Sequence, residues 1–130
     1  MAAQLYNLQH VVPDIQDSKY NETRFILVHN KDHETPTGKD RTTLLYEVPN
    51  APAALYNGIG AFSRRGLNLS GQHSIATGIR LGRYGMLTEV GAHRSDSPMQ
   101  RALKELAEEL TIPNSIYILG SYPRYTNNTQ

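Results

Sequence analysis

The segment 41–48 has the clearest periodic pattern in the chain. Its buried-type apolar side chains recur at every second position, as Leu44, Tyr46 and Val48. A two-residue period is typical of a strand with one well-buried face. Because Pro49 follows directly and cannot continue such a ladder, we predict a strand over 41–48.

A helix is predicted after this strand. Pro52 suits the first helical turn, where its missing N–H costs nothing, and Asn50 or Ala51 would be the N-cap. Three apolar side chains then follow at helical spacing, namely Leu55, Ile59 and Phe62. Gly66 can adopt the left-handed conformation that often ends a helix.

The middle of the chain predicts two further strands. One begins with alternating apolar residues at Leu67 and becomes polar toward Ile79. Gly82–Arg83 fits a hairpin turn, and the segment 84–90 is the next strand.

A second helix is predicted from Ser97, with Ser97 as the N-cap, Pro98 at the first position and Gln100 at the third. One stripe of this helix is apolar, and it contains Met99, Ala102, Leu103, Leu106, Ala107 and Leu110. Such a stripe is typical of a helix that packs on one side. The segment 116–119 is predicted to be a last short strand.

The predicted order is strand, helix, strand, strand, helix, strand. This is the ferredoxin-like βαββαβ order of an α+β domain, with an antiparallel sheet and both helices on one face. Residues 31–40 are polar, contain a Pro and a Gly, and are predicted to be a linker, with a tail at 125–130. Because open sheet edges invite pairing, we expect a homodimer or a higher even oligomer.

Composition limits the function classes. The chain has 130 residues, a net charge of +1 and no cysteine, and its charged fraction is 19%. We therefore expect a soluble cytoplasmic domain without sulfur-based metal sites, without a strong field for nucleic acid and without a membrane span. His29 and His33 stand four apart but flank the start of the linker, so they are interpreted as solvated, and no metal or cofactor is expected. Gly58-x-Gly60 falls inside a helix and is interpreted as a packing feature.

Two stretches resemble one family. "IQDSKYNETRF" looks like the end of the catalytic domain of prephenate dehydratase, and "GSYPR" resembles the end of that enzyme's regulatory ACT domain. Between them, "GKDRTTLLYEVPNAPAALYNGIGAFSRRGLNL" is similar to the first strand, helix and second strand of the ACT domain. The resemblance implies a remnant of an α/β catalytic lobe at 1–30, a linker at 31–40 and an ACT domain at 41–124.

The resemblance also implies a catalytic residue. The family's catalytic threonine matches Thr23, which would assist departure of the ring hydroxyl as prephenate loses carbon dioxide and water to give phenylpyruvate. Arg24 and Phe25 would mainly organise the same strand. Most of the catalytic domain has no counterpart in these residues, and a lone Thr hydroxyl cannot perform this step. We therefore expect the chain alone to be inactive, although a separately supplied catalytic lobe could complete the site.

An effector site is implied at two turns. The family binds L-phenylalanine between paired ACT domains, at a Gly-Ala-Leu turn and a Glu-Ser-Arg-Pro run. The first is met by Ala53, Ala54 and Leu55, with Ala in place of Gly. The second aligns on 73–76, where Ser74 matches and His73 stands in place of Glu. The neighbouring Asn68, Leu69 and Ser70 complete the candidate set.

Three readings remain open for the module. It would bind L-phenylalanine or a related amino acid, or it would serve purely as a structural dimerisation module, since an amino-acid ligand needs partners for both its charges. The third reading is an RNA-binding module of the RRM type, which shares the same order of elements. That reading is disfavoured because Met86 and Val90 occupy positions where stacking aromatics would be needed.

Overall fold

The computed structural model describes residues 5–7, 9, 17, 23–76 and 84–125. Its elements are β1 (Asp40–Val48), α1 (Ala54–Ser63), β2 (Leu69–Ala76), β3 (Tyr84–Val90), α2 (Ser97–Glu105), a π-helical turn at Leu106–Leu110 that continues α2, and β4 (Tyr117–Pro123). The predicted order of strands and helices is therefore confirmed. The predicted hairpin turn at Gly82–Arg83 and the predicted polar end of the second strand at 77–79 lie outside the described residues.

The four strands form one antiparallel sheet in the order β2-β3-β1-β4. The two central strands are β3 and β1, which pair from Thr42 opposite Val90 to Val48 opposite Tyr84. This order is the ferredoxin-like arrangement of an α+β domain. It leaves β2 and β4 as the edges of the sheet in the described part of the chain.

The core lies between the helices and one face of the sheet. The residues of β1 alternate between buried and half-buried along its whole length. The buried face carries Leu44, Tyr46 and Val48, and both helices pack on it, α1 through Phe62 and α2 through Met99. Both helices therefore cover the same face, as the apolar alternation in β1 predicts. The opposite face, which we call the open face, carries the other half of each strand.

The entry into α1 differs from the prediction. The residue that precedes the helix is Ala53, with a left-handed φ of 63° and no side-chain cap. The predicted caps at Asn50 and Ala51 are therefore wrong, because Pro52 lies in a turn before the helix rather than in its first turn. Gly66 takes a φ of 70° after the helix, which confirms the left-handed exit.

The start of α2 also lacks the predicted capping box. The capping position is Asp96, and no side chain makes a cap hydrogen bond there. The Ser97 hydroxyl instead accepts from the Arg101 guanidinium at 2.6 Å, and Gln100 Nε2 donates to the Arg94 carbonyl at 2.5 Å. Both side chains that would form the box are thus engaged elsewhere.

The last strand is longer than predicted. It runs to Pro123, and its pairing with β1 shifts register between Thr43 and Leu44. The shift inserts one residue, so that Ser121 and Ile118 both lie opposite core-facing residues of β1. The insertion breaks the two-residue period that sequence reasoning relies on.

Candidate functional site

The segment that carries the predicted catalytic Thr23 is extended and exposed. Its neighbour Arg24 reaches the sheet and makes two hydrogen bonds to the carboxylate of Glu89 on β3. Nη2 lies 2.5 Å from Oε1, and Nη1 lies 3.0 Å from Oε2. Hydrogen bonding and the charge of Glu89 raise the pKa of Arg24 above its ordinary value. The chain directly after the predicted catalytic position is therefore attached to the sheet.

Glu89 is a buried carboxylate on the open face of the sheet. Its residue is 5% exposed, and Arg41 of β1 donates a third hydrogen bond to Oε2 at 3.2 Å. Gly71 of β2 lies beside it, where a Cβ would come within 3.1 Å of Oε2. The carboxylate is thus enclosed by two arginines and by a strand that has no side chain at that point.

The predicted linker is held along the edge of β4. Asp32 accepts a hydrogen bond from the Ser121 N–H at 3.0 Å and forms an ion pair with Arg94. The carbonyl of His33 accepts from Nε2 of the buried His93 at 2.9 Å. Burial pushes the pKa of Asp32 upward, but the Ser121 N–H and the charge of Arg94 outweigh it and hold that pKa below its usual value. Residues 31–40 are therefore attached to the domain rather than free.

The predicted effector residues fall into two groups. Ala53, Ala54 and Leu55 lie at the start of α1, next to the end of β1. His73 and Ser74 are exposed on β2, opposite Leu87 and Met86 of β3. Because β3 begins beside the end of β1, this half of β2 lies toward the start of α1.

The second group lines a cleft at the other end of the sheet. Asn68 and Ser70 are exposed there, whereas Leu69 between them is partly buried against the core. The cleft has a volume of about 460 Å³ and is lined by Gly38, Lys39, Asp40, Arg41, Asn68, Ser70, Gly91, Ala92, Asp96 and Arg124. The structure therefore separates Asn68 and Ser70 from the turn at Ala53.

The charged side chains of this cleft differ in hydrogen bonding and exposure. Asp40 accepts hydrogen bonds from the Thr37 hydroxyl and from the N–H groups of Thr37 and Gly38. Burial raises its pKa, but these donors outweigh burial and leave the pKa below its ordinary value. The cationic side chains of Lys39 and Arg124 are exposed. The cleft thus has a cationic rim and an acidic group already satisfied by its own loop.

Comparison with known proteins gives the family. No family model matches the chain. The chain is 34% identical over 124 residues to a bifunctional chorismate mutase/prephenate dehydratase of Aquifex aeolicus. The alignment covers 95% of this chain and 33% of that protein. It is 33% identical over 126 residues to a prephenate dehydratase of Corynebacterium glutamicum, covering 94% of this chain and 38% of that protein. This chain is homologous to the C-terminal part of prephenate dehydratases.

Solved structures agree with this assignment. The crystal structure of prephenate dehydratase from Arthrobacter aurescens in complex with L-Phe has a TM-score of 0.61 and 34% identity, covering 74% of this chain and 30% of that chain. A quorum-quenching acylase, GqqA, has a TM-score of 0.65 and 30% identity, covering 75% of this chain and 34% of that chain. The chain therefore spans about a third of the length of these relatives.

The sequence did not predict the residues that hold the segment of Thr23 and Arg24 to the sheet. Glu89 and Arg41 lie on the open face, opposite the core side chains of the same strands. The alternation in β1 does place Arg41 on that face, but nothing in the sequence pairs it with Glu89. Arg24 was predicted to organise its own strand, whereas it contacts the sheet.

Among the described residues, no group of three or more His, Cys, Asp or Glu side chains could hold a metal ion. His29 lies in a local turn, where Nδ1 accepts from the Lys31 N–H at 3.0 Å. In the same part of the chain, no helix is long and apolar enough to cross a membrane.

Proposed function

We propose that this chain is the regulatory part of a prephenate dehydratase-like protein of L-phenylalanine biosynthesis, which senses an amino acid and dimerises. In the complete protein the reaction would convert prephenate to phenylpyruvate, with loss of carbon dioxide and water. The observation that carries the proposal is the similarity over nearly the whole chain to prephenate dehydratases, together with a solved relative in complex with L-Phe.

The geometry at the start of α1 supports an effector site there. Ala53 keeps a left-handed backbone at the position where the family has Gly in its Gly-Ala-Leu turn. The turn therefore has a conformation that glycine adopts most easily, although the side chain has changed. The free N–H groups at the start of a helix are good partners for the carboxylate of an amino acid.

The second half of the proposed site lacks the Glu and Arg of the family's Glu-Ser-Arg-Pro run. His73 and Ser74 are exposed on β2, and Ser74 retains a hydroxyl for hydrogen bonding. The ammonium group of the ligand then needs another partner, which a second copy of the chain would supply at the sheet edge. We therefore propose a homodimer or tetramer in which L-phenylalanine or a related amino acid lies between subunits.

Thr23 would contribute to catalysis only with the rest of the catalytic domain. Its segment is exposed, and a hydroxyl in water has no group that would orient it or exclude solvent. The complete site would require the lobe that the relatives possess beyond the third of their length spanned here.

The proposal is tested by thermal unfolding with L-phenylalanine, with D-phenylalanine as the ligand control. A ligand that binds only the folded state at 100 times its Kd adds about 2.7 kcal/mol, which corresponds to a rise in Tm of roughly 10 °C. Leu55→Ala should remove the shift, whereas Tyr56→Ala, at the exposed neighbouring position, should keep it. No shift with L-phenylalanine would favour the purely structural dimerisation module.

A further inference from the structure

Glu89 occupies an unusual place, because it joins the predicted catalytic segment to the regulatory sheet. We propose that Glu89 is a positioning residue that fixes the backbone at Thr23 to β3 through Arg24. The proposal rests on the proposed function only in the role that it gives to Thr23. The attachment itself is a property of this chain and is tested without substrate or effector.

The contact has the geometry of a specific site rather than of a surface ion pair. The guanidinium and carboxylate meet through two hydrogen bonds, of 2.5 and 3.0 Å, in the fork geometry that orients both groups. The side chain of Glu89 is 7% exposed, whereas that of Arg24 is 57% exposed. The fixed partner is therefore Glu89, and Arg24 is the group that it holds.

The requirement for Arg24 follows from burial. A buried carboxylate must be paired and hydrogen-bonded, since leaving it without partners is costly. Arg41 supplies one hydrogen bond to Oε2, but Oε1 is bonded by Arg24. The domain therefore stabilises the attached position of Arg24. Thr23 directly precedes Arg24, so its Cα lies about 3.8 Å from that of the residue that makes this contact.

β2 sets the position of the carboxylate. Gly71 lies at a register shift between β2 and β3, opposite Glu89. A Cβ at Gly71 would lie 3.1 Å from Oε2 and 3.2 Å from Cδ, so a side chain there would displace the carboxylate. His73 and Ser74 of the proposed effector site belong to the same strand as Gly71.

The experiment is limited proteolysis by trypsin, followed by mass spectrometry of the bond between Arg24 and Phe25. Trypsin must take the Arg24 side chain into its pocket, so cleavage requires that Arg24 leave Glu89. Glu89→Gln should accelerate this cleavage about fivefold, as expected for loss of a partly exposed ion pair. Glu89→Asp, which keeps the charge, should restore part of the protection.

The matched control is Glu105→Gln. Glu105 also pairs with two arginines, Arg64 and Arg65, but it lies on α2. This variant should leave cleavage after Arg24 unchanged. If the Glu89→Gln protein does not fold, Gly71→Ala gives the same measurement, because it displaces the carboxylate without removing its charge.

Selectivity separates positioning from general stability. Global destabilisation would also accelerate cleavage after Arg101, inside α2, whereas loss of the attachment accelerates cleavage after Arg24 without affecting Arg101. An unchanged rate at Arg24 in Glu89→Gln, or a parallel increase at Arg24 and Arg101, overturns the proposal. Either result leaves the proposed function to be judged by the L-phenylalanine shift.

Discussion

At the scale of single residues, two positions share a left-handed backbone but carry different side chains. Ala53 has a φ of 63° before α1, and Gly66 has a φ of 70° after it. An L-residue in this conformation loses about 1–2 kcal/mol to the clash of its Cβ with the backbone, whereas glycine does not. The turn at Ala53 therefore stores strain that the turn at Gly66 avoids.

We expect opposite effects from exchanging these side chains. Ala53→Gly should raise the free energy of unfolding by about 1 kcal/mol, and Gly66→Ala should lower it by about the same amount. Gly66 has open space around its Cα, so the second change tests backbone conformation alone. Urea unfolding at constant m-value measures both. Two changes of the same sign would contradict the assignment of strain to φ.

The sequence pattern predicts the left-handed backbone at only one of these two positions. Gly66 follows an apolar helical stripe and is readily interpreted as a helix end. Ala53 gives no such signal, because alanine rarely adopts a left-handed backbone, and only the resemblance to a Gly-Ala-Leu turn points to it. Whether Ala53 and its neighbours bind an effector stays a prediction.

At the scale of elements, the carboxylate of Asp32 is one of the groups that join residues 31–40 to β4. Asp32 bonds the edge of β4 through the Ser121 N–H and pairs with Arg94. Its pKa in the folded chain lies below the ordinary value of 3.8. A carboxyl with a lowered folded pKa adds stability above its unfolded pKa and loses it as the pH falls through the folded pKa.

Asp32→Asn should therefore cost about 1 kcal/mol near neutral pH. The difference from the unmodified chain should shrink as the pH falls through 3.8, where half of the Asp32 carboxyls of the unfolded chain are protonated. Chemical unfolding across a pH series measures this difference. Glu34→Gln, at an exposed position in the same loop, is the matched control. A difference that stays constant down to low pH would show that the charge is irrelevant.

Elements with an uninterrupted period were the predictable ones. β1 pairs with β3 without a register shift, and the side chains of β1 alternate between buried and half-buried, so the period of β1 reports burial faithfully. β4 has an inserted residue, and its predicted extent at 116–119 was too short for that reason. The contacts of the linker were unpredictable as well, because Asp32 and Ser121 are distant in sequence and neither belongs to a periodic pattern.

At the scale of the whole molecule, we expect the chain to fold without showing dehydratase activity. The described sheet and helices form one core, yet the chain spans about a third of the relatives' length. We expect the purified chain to give no phenylpyruvate from prephenate, measured by absorbance of the product, because Thr23 is exposed and the described residues do not enclose it. Activity that survives removal of contaminating enzyme and is lost in Thr23→Ala would contradict this expectation.

The exposed segment 25–28 affects how the oligomeric state can be measured. Phe25, Ile26, Leu27 and Val28 are each between 76% and 94% exposed. Four consecutive exposed apolar side chains favour association, and extended segments of this kind readily pair with neighbouring molecules. Sedimentation of the chain would then combine the proposed association through the sheet edge with association through residues 25–28. A Phe25→Ser, Leu27→Ser double variant removes the association through residues 25–28, so the mass that remains tests the proposed dimer alone.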